Sequence, residues 1–274
     1  MEIKRVWAVY FSATGTTEKV VQTMAAAAAE ELGAAQESVN FTPSSARAQQ
    51  YRFDREDLVF FGTPVYAGRV PNKLLPFVQS GFAGGDALAV PVSMFGNRSF
   101  DNGLIELRNE LENNGFHTVA GAAFVGQHAF SDIMAKGRPN AEDLAQARDF
   151  ARQVAQKVRS LSEYPAPIAV KGEDPVGPYY TPKGLDGKPA VFLKAKPKTD
   201  PERCIHCGLC AAVCPLDSID PEDVSQVPGV CIKCHACIRK CPTGAKYLDD
   251  PAFLSHKAAL ERDFLRPADN ACFL

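Results

Sequence analysis

The 274-residue chain is 46% hydrophobic and 23% charged, and its 30 basic and 32 acidic side chains give a formal net charge of −2 at pH 7. It has no basic surplus for nucleic acid and no run near the roughly 18 apolar residues of a spanning helix, so neither nucleic-acid binding nor membrane insertion is expected. The length suffices for one full core plus a small second domain, and clustered cysteines read as metal or redox sites of a cytoplasmic protein.

Apolar runs alternate with amphipathic ones over the first 160 residues, the signature of an α/β domain. Strands are expected at 6–11, 37–41, 58–62, 88–93 and 118–125. Four of them are continuous apolar runs, as in strands covered on both faces. Helices are expected at 17–32, 72–79, 101–113 and 141–161; in the last, Leu144, Ala147, Ala151, Val154, Ala155 and Val158 recur at helical spacing. Five parallel strands with helices on both sides suit a doubly wound sheet, with its ligand site at the carboxyl ends of the strands.

Strand one runs into "FSATGTTEKV". Ser12, Thr14, Thr16 and Thr17 offer hydroxyls, Gly15 allows a tight turn, and a helix starts at once, so the loop reads as an anion cradle. It is neither a Walker loop nor a Gly-x-Gly-x-x-Gly fingerprint. An ordinary strand-to-helix turn capped by threonines is the competing reading.

This loop resembles that of flavodoxins, whose Ser/Thr-x-Thr-Gly-x-Thr pattern wraps the phosphate of FMN. The resemblance extends to "GTPVYAGRVP" and "SMFGNRSFDNGL", which follow strands three and four, where flavodoxins enclose the isoalloxazine ring. It implies FMN contacts from Ser12, Ala13, Thr14, Gly15, Thr16 and Thr17, from Thr63, Pro64, Val65, Tyr66, Ala67 and Gly68, and from Ser93, Met94, Phe95, Gly96, Asn97 and Phe100. Tyr66 is the expected stacking partner on one ring face and Phe95 or Phe100 on the other, with core packing as the alternative for each. Gly68, with Ala67 competing, would be the residue whose peptide reorients beside the ring. Arg69 and Arg98 either place charge near it or sit solvated.

Residues 1–162 therefore read as a flavodoxin-like domain, and the resemblance implies a doubly wound five-stranded sheet of order 2-1-3-4-5. The stretch 163–201 holds eight prolines and few apolar runs, so 163–200 reads as a connector in which "LDGKP" turns a small hairpin. In residues 201–250, "CIHCGLCAAVCP" recurs 27 residues later as "CIKCHACIRKCP", using eight of the nine cysteines. Three thiolates on one tight loop match three corners of a cubane while the fourth is displaced. Zinc knuckles would leave the third cysteine unexplained.

This segment resembles bacterial two-cluster ferredoxins, small α+β domains in which each fourth cysteine crosses to the other cluster. The resemblance implies one [4Fe-4S] cluster on Cys204, Cys207, Cys210 and Cys241, and another on Cys231, Cys234, Cys237 and Cys214. His235 replaces Gly208 in the second motif; it and His206 read as loop residues, with tuning of one cluster by His235 as the alternative. The acidic insert 216–228 is either a solvated loop or a dock for a basic partner. Residues 251–274 read as a helix and tail, with Asp250 as N-cap and Pro251 as first residue. Phe253, Leu254, Ala258, Leu260, Phe264 and Leu265 would form its packed face, Cys272 a free thiol, and His117, His128 and His256 core or surface residues.

Taken whole, the chain resembles fused flavodoxin–ferredoxin proteins of anaerobic bacteria. That implies an electron carrier linking FMN and two [4Fe-4S] clusters and coupling one- and two-electron partners, which would be other redox proteins or enzymes. A flavin-dependent reductase fed through the clusters is the alternative, and a cluster-bearing scaffold with an empty flavin site a third. The oligomeric state is left open.

Overall fold

The computed structural model describes residues 1–274. Five parallel strands form the centre: β1 (Arg5–Tyr10), β2 (Ala35–Asn40), β3 (Asp57–Pro64), β4 (Leu88–Phe95) and β5 (Gly121–Val125). They lie in the order 2-1-3-4-5, connected through α1 (Thr16–Leu32), α2 (Leu75–Ser80), α3 (Gly103–Asn113) and, after β5, α4 (Ala141–Ser160). Because successive side chains of a strand point to opposite faces, Phe60 of β3 joins Val20, Val21, Met24, Phe150 and Val154 under α1 and α4, while Phe61 joins Phe41, Phe82, Leu107 and Leu111 on the other side.

Two features depart from the expected five-stranded sheet. The run 118–125 is broken into a two-residue bridge at His117–Thr118 and the strand β5. Connector residue Ile168 supplies an N–H to the Thr118 carbonyl at 3.1 Å, taking up an acceptor beside the break. A further strand, β6 (Ala271–Phe273), pairs antiparallel with β5, Ala271 opposite Ala123 and Phe273 opposite Gly121. The sheet is thus closed on that side by the tail, which also carries Cys272.

The connector is tied to the sheet domain along much of its length. Tyr179 donates its hydroxyl to the Val70 carbonyl at 2.9 Å, and the Tyr180 N–H reaches the Ala67 carbonyl at 2.8 Å. The guanidinium of Arg69 lies 4.3 Å over the Tyr179 ring and that of Arg98 lies 4.1 Å over Tyr180, contacts that favour stacked arginine over lysine. "LDGKP" forms the tip of a hairpin, with Gly184 donating to Lys188 at 2.9 Å and Lys183 paired with Pro189.

The cysteine-bearing segment contributes two single-turn helices, α5 (Leu209–Ala212) and α6 (Ala236–Arg239), and a two-residue ribbon between Lys198–Thr199 and Lys246–Tyr247. Helix α7 (Pro251–Asp263) follows, its N–H of Phe253 capped by the Asp250 carboxylate at 2.9 Å. The expected packed face is only half right. Phe253 and Leu260 are buried with His256 and Ala259, but Leu254 and Leu265 are 45% and 49% exposed. The helix is rotated toward an aromatic cluster, Phe253 meeting Phe130 edge-on at 4.9 Å and Phe192 at 5.7 Å, with His256 stacked on Phe192.

Beyond α7 the tail is held by Asn97, expected from the resemblance to touch the ring. Its buried amide donates to the Phe264 and Arg266 carbonyls and accepts from the Ala268 N–H at 3.0 Å. Truncating it leaves those backbone groups unpaired, so Asn97→Ala should cost about 1–3 kcal/mol, read as a lower midpoint in thermal unfolding of the holoprotein. An unchanged midpoint would show that the tail is held by other contacts.

Candidate cofactor sites

The carboxyl ends of the strands open into a cavity of about 530 Å³. Its first wall is the β1–α1 loop, where Ala13, Thr14, Thr16 and Thr17 face the space. The backbone amides from Ala13 to Thr17 donate to no protein group, whereas the flanking Ser12 N–H goes to Thr42 Oγ1 and the Glu18 N–H to Ser12 Oγ at 3.0 Å. A row of free donors at the N-terminus of a 17-residue helix is what a phosphate requires. Ser12 is therefore spent on the helix, not turned to the cavity. Gly15 does not line the cavity either; it stands at φ 93° as N-cap and bends the loop.

The second wall is a tight turn after β3. Tyr66 and Arg69 exchange backbone bonds of 2.9 and 3.2 Å around Ala67 (φ 50°) and Gly68 (φ 80°), so both central residues are left-handed, as in a type I′ turn. A Cβ on Gly68 would sit 2.5 Å from the Asp101 carboxylate, which explains the glycine beyond its φ. Pro64, Val65, Tyr66, Ala67 and Gly68 all line the cavity. Arg69 points away, paired with buried Glu106.

The third wall comes from the β4 loop. Met94, Phe95, Gly96 and Arg98 reach the cavity, and Arg98 is also ion-paired with Asp101. Phe100 does not line it: that ring packs behind Phe95, 5.5 Å away, in a small core with Leu104 and Val125. Thr63 and Ser93 face each other across β3 and β4, buried and below the floor, their hydroxyls without partners. Of the eighteen residues the resemblance implied, twelve meet at the cavity and Ser12, Gly15, Thr63, Ser93, Asn97 and Phe100 do not.

Sequence reading missed the remaining walls: Gln127, His128 and Phe130 after β5, Tyr179, Tyr180, Phe192 and Leu193 of the connector, His256 and Leu260 of α7, and Val230, Cys231, Ile232 and Lys233 of the second cysteine motif. Burial pushes His128 down to about 4 and His256 below the usual imidazole value, so both rings are neutral. The second motif is seated by continuous apolar contact, Ile232, Cys234 and Ala236 sharing one cluster with Phe11, Phe41 and Tyr66. Arg239 of α6 fastens it by donating to the carbonyls of Ala129 at 2.9 Å and Ser131 at 2.6 Å.

The thiols gather into two hollows. One is lined by Cys214 with Cys231, Cys234 and Cys237, the other by Cys204, Cys207 and Cys210 with Cys241. The two motifs repeat in backbone as well as in sequence. Left-handed φ recurs at His206 and Lys233 (52° and 57°), at Gly208 and His235 (71° and 60°), and at Asp217 and Gly244 (48° and 65°). Each displaced cysteine also accepts a backbone N–H from four residues on, Ser218 to Cys214 Sγ at 3.3 Å and Ala245 to Cys241 Sγ at 3.2 Å. Burial, with repulsion from the neighbouring thiols, pushes Cys234 and Cys237 up to about 12. Such thiols ionise only against a strong cation, so donor set and environment both fit iron.

A flavodoxin domain model matches residues 8–115, and models of a 4Fe-4S binding domain match residues 197–220 and 228–244. No curated protein matches the chain by sequence. Among solved structures it is similar to a flavodoxin from the domain Archaea, at 13% identity over 57% of this chain and 99% of that one, with a TM-score of 0.40. It is similar also to a Streptococcus pneumonia TIGR4 flavodoxin, at 16% identity over 56% and 99% with a TM-score of 0.39. A third is the rubredoxin oxygen:oxidoreductase from the anaerobe Desulfovibrio gigas, at 16% identity over 58% of this chain but only 37% of that one, with a TM-score of 0.39. No helix of the chain is long and apolar enough to cross a membrane. With FMN implied by the first matched segment and two [4Fe-4S] clusters by the other two, the chain is an electron-transfer protein in which a flavodoxin domain is fused to ferredoxin-type 4Fe-4S domains.

Proposed function

We propose that three cofactors stand in line: a distal cluster on Cys204, Cys207, Cys210 and Cys241, a proximal cluster on Cys231, Cys234, Cys237 and Cys214, and FMN in the cavity. The observation that carries this reading is that Val230, Cys231, Ile232 and Lys233 line both the proximal thiol hollow and the cavity. Cys207, in contrast, is exposed. An outside redox protein therefore meets the distal cluster, and the proximal one faces the flavin.

When bound, FMN supplies storage for two electrons between partners that move one at a time. The chain's own groups do the rest. The amides of Ala13 to Thr17 hold the phosphate, Tyr66 and Phe95 flank the ring, and eight thiolates hold the iron, two of them accepting the Ser218 and Ala245 N–H bonds. The cytoplasm, where thiols stay reduced, is the compartment this chemistry suits. Direct reduction of a small substrate is less well supported: no carboxylate lines the cavity and its two imidazoles are neutral, which leaves Tyr66 and the lysines without a carboxylate or imidazolium to complete an acid–base pair.

The test is kinetic. Flash photoreduction of the flavin should be followed by electron exchange with the clusters at a rate independent of protein concentration, because docking fixes their separation. A rate proportional to concentration would mean exchange between molecules and would refute the line.

A further inference from the structure

The two cysteine loops share a backbone path, yet matched positions differ in charge: Ala212, Val213 and Ile219 of the first correspond to Arg239, Lys240 and Lys246 of the second, and one further difference lies inside the three-cysteine loop. Lys233 in the second motif stands where His206 stands in the first, both with left-handed φ. Lys233 lines the proximal thiol hollow and also the cavity. Its half-buried ammonium donates to the carbonyls of Leu193 and of Cys231, the latter at 3.0 Å, and makes no direct ion pair, Asp250 acting on it only through space. None of the residues lining the cavity is acidic; its other cations are Lys73 and Arg98, and Arg98 is neutralised by Asp101. A positive junction is thus built into a chain whose net charge is −2.

Resting on the relay described above, we propose that Lys233 is a positioning charge that tunes the flavin, stabilising added electrons at FMN and at the proximal cluster beside it. The distal hollow has a cation of its own, buried Lys246, but that residue does not line the cavity, so of these two lysines only Lys233 reaches the flavin site. Electrons that a one-electron donor protein delivers at Cys207 and that reach FMN are held there more strongly because of this charge. Two such transfers, with one proton from solvent, reduce the flavin by two electrons and oxidise the donor twice. The physical basis is Coulombic: a fixed ammonium in a partly desolvated site acts more strongly on a nearby developing negative charge than it would in water.

Redox titration of the holoprotein, with FMN followed by visible absorbance and the clusters by electron paramagnetic resonance, tests this. Lys233→Gln should weaken the binding of reduced relative to oxidised FMN about tenfold, a fall of about 30 mV in the two-electron couple. Lys233→Arg should stay near wild type, and His206→Gln should leave the FMN couple unmoved. Leu193→Asp offers a second route, because that residue is 83% exposed and its carbonyl already holds the ammonium. It would supply the missing carboxylate without touching the motif and should lower the couple likewise, even where Lys233→Gln loses iron. An unmoved FMN couple in either fully loaded variant overturns the proposal. Wild-type protein without flavin or iron would instead refute the relay on which it rests.

Discussion

Replacing Cys214 with alanine is expected to halve the iron content, and the cluster lost should be the one whose other ligands lie in the second motif. Cys214 follows the first motif in sequence, yet it shares its hollow with Cys231, Cys234 and Cys237. Removing one corner ligand from a buried set leaves three crowded thiols with nothing to complete the site. Because the same segment walls the cavity, the variant should also lose electron exchange between flavin and the remaining cluster. Iron and sulfide analysis checks the first effect and flash photoreduction the second. An anomalous-difference map with Cys214 bound to the cluster of Cys204, Cys207 and Cys210 would falsify the crossed arrangement.

A second large effect is expected from Gly15→Val. Nothing lies within 4 Å of where a Cβ would stand, so crowding is not the issue. The obstacle is the backbone: φ is 93°, in a region costing an ordinary residue about 1–2 kcal/mol and a β-branched one more. The loop can escape the strain only by turning its free amides away from the phosphate position. FMN affinity should drop roughly tenfold or more, since each 1.4 kcal/mol is a factor of about ten, while iron stays bound. Gly15→Ala should fall between the two. Flavin fluorescence titration of the apoprotein gives the affinities, and a valine variant that binds FMN like wild type would remove the phosphate from this loop.

What the sequence disclosed and what it hid divide along the range of the contacts involved. The runs that became β1, β3 and β4, and the helix closed by Gly33, announce themselves by period and cap because neighbours along the chain decide them. The eight cysteines are legible because three-residue spacings already put three thiols on one loop. Phe100 and Asn97 looked like ring contacts on the strength of position in a loop, but orientation there is settled by distant partners: Phe95 and Leu104 for the one, the backbone near Phe264 for the other. The connector gave the least away. Nothing in "VGPYYTP" says that its two tyrosines will lie beneath Arg69 and Arg98, since each partner is about a hundred residues away and stacking leaves no periodic trace. His256 was hidden for a related reason, as its burial follows from Phe192 across the interface and not from the hydrophobic pattern of α7.

The tail strand β6 has a bearing on how the molecule survives outside the redox cycle. Without it, β5 would present "GAAFV" as an uncovered, uncharged sheet margin, the kind of surface on which a second chain can add a strand. Residues 271–273 occupy that margin, and the Asn270 side chain, which accepts from the Val125 N–H at 2.9 Å, fixes their register. Proteolytic trimming or a frameshift in this short segment would spare every cofactor ligand and still bare that margin. Guarding against aggregation is thus assigned to residues far in sequence from the strand they shield.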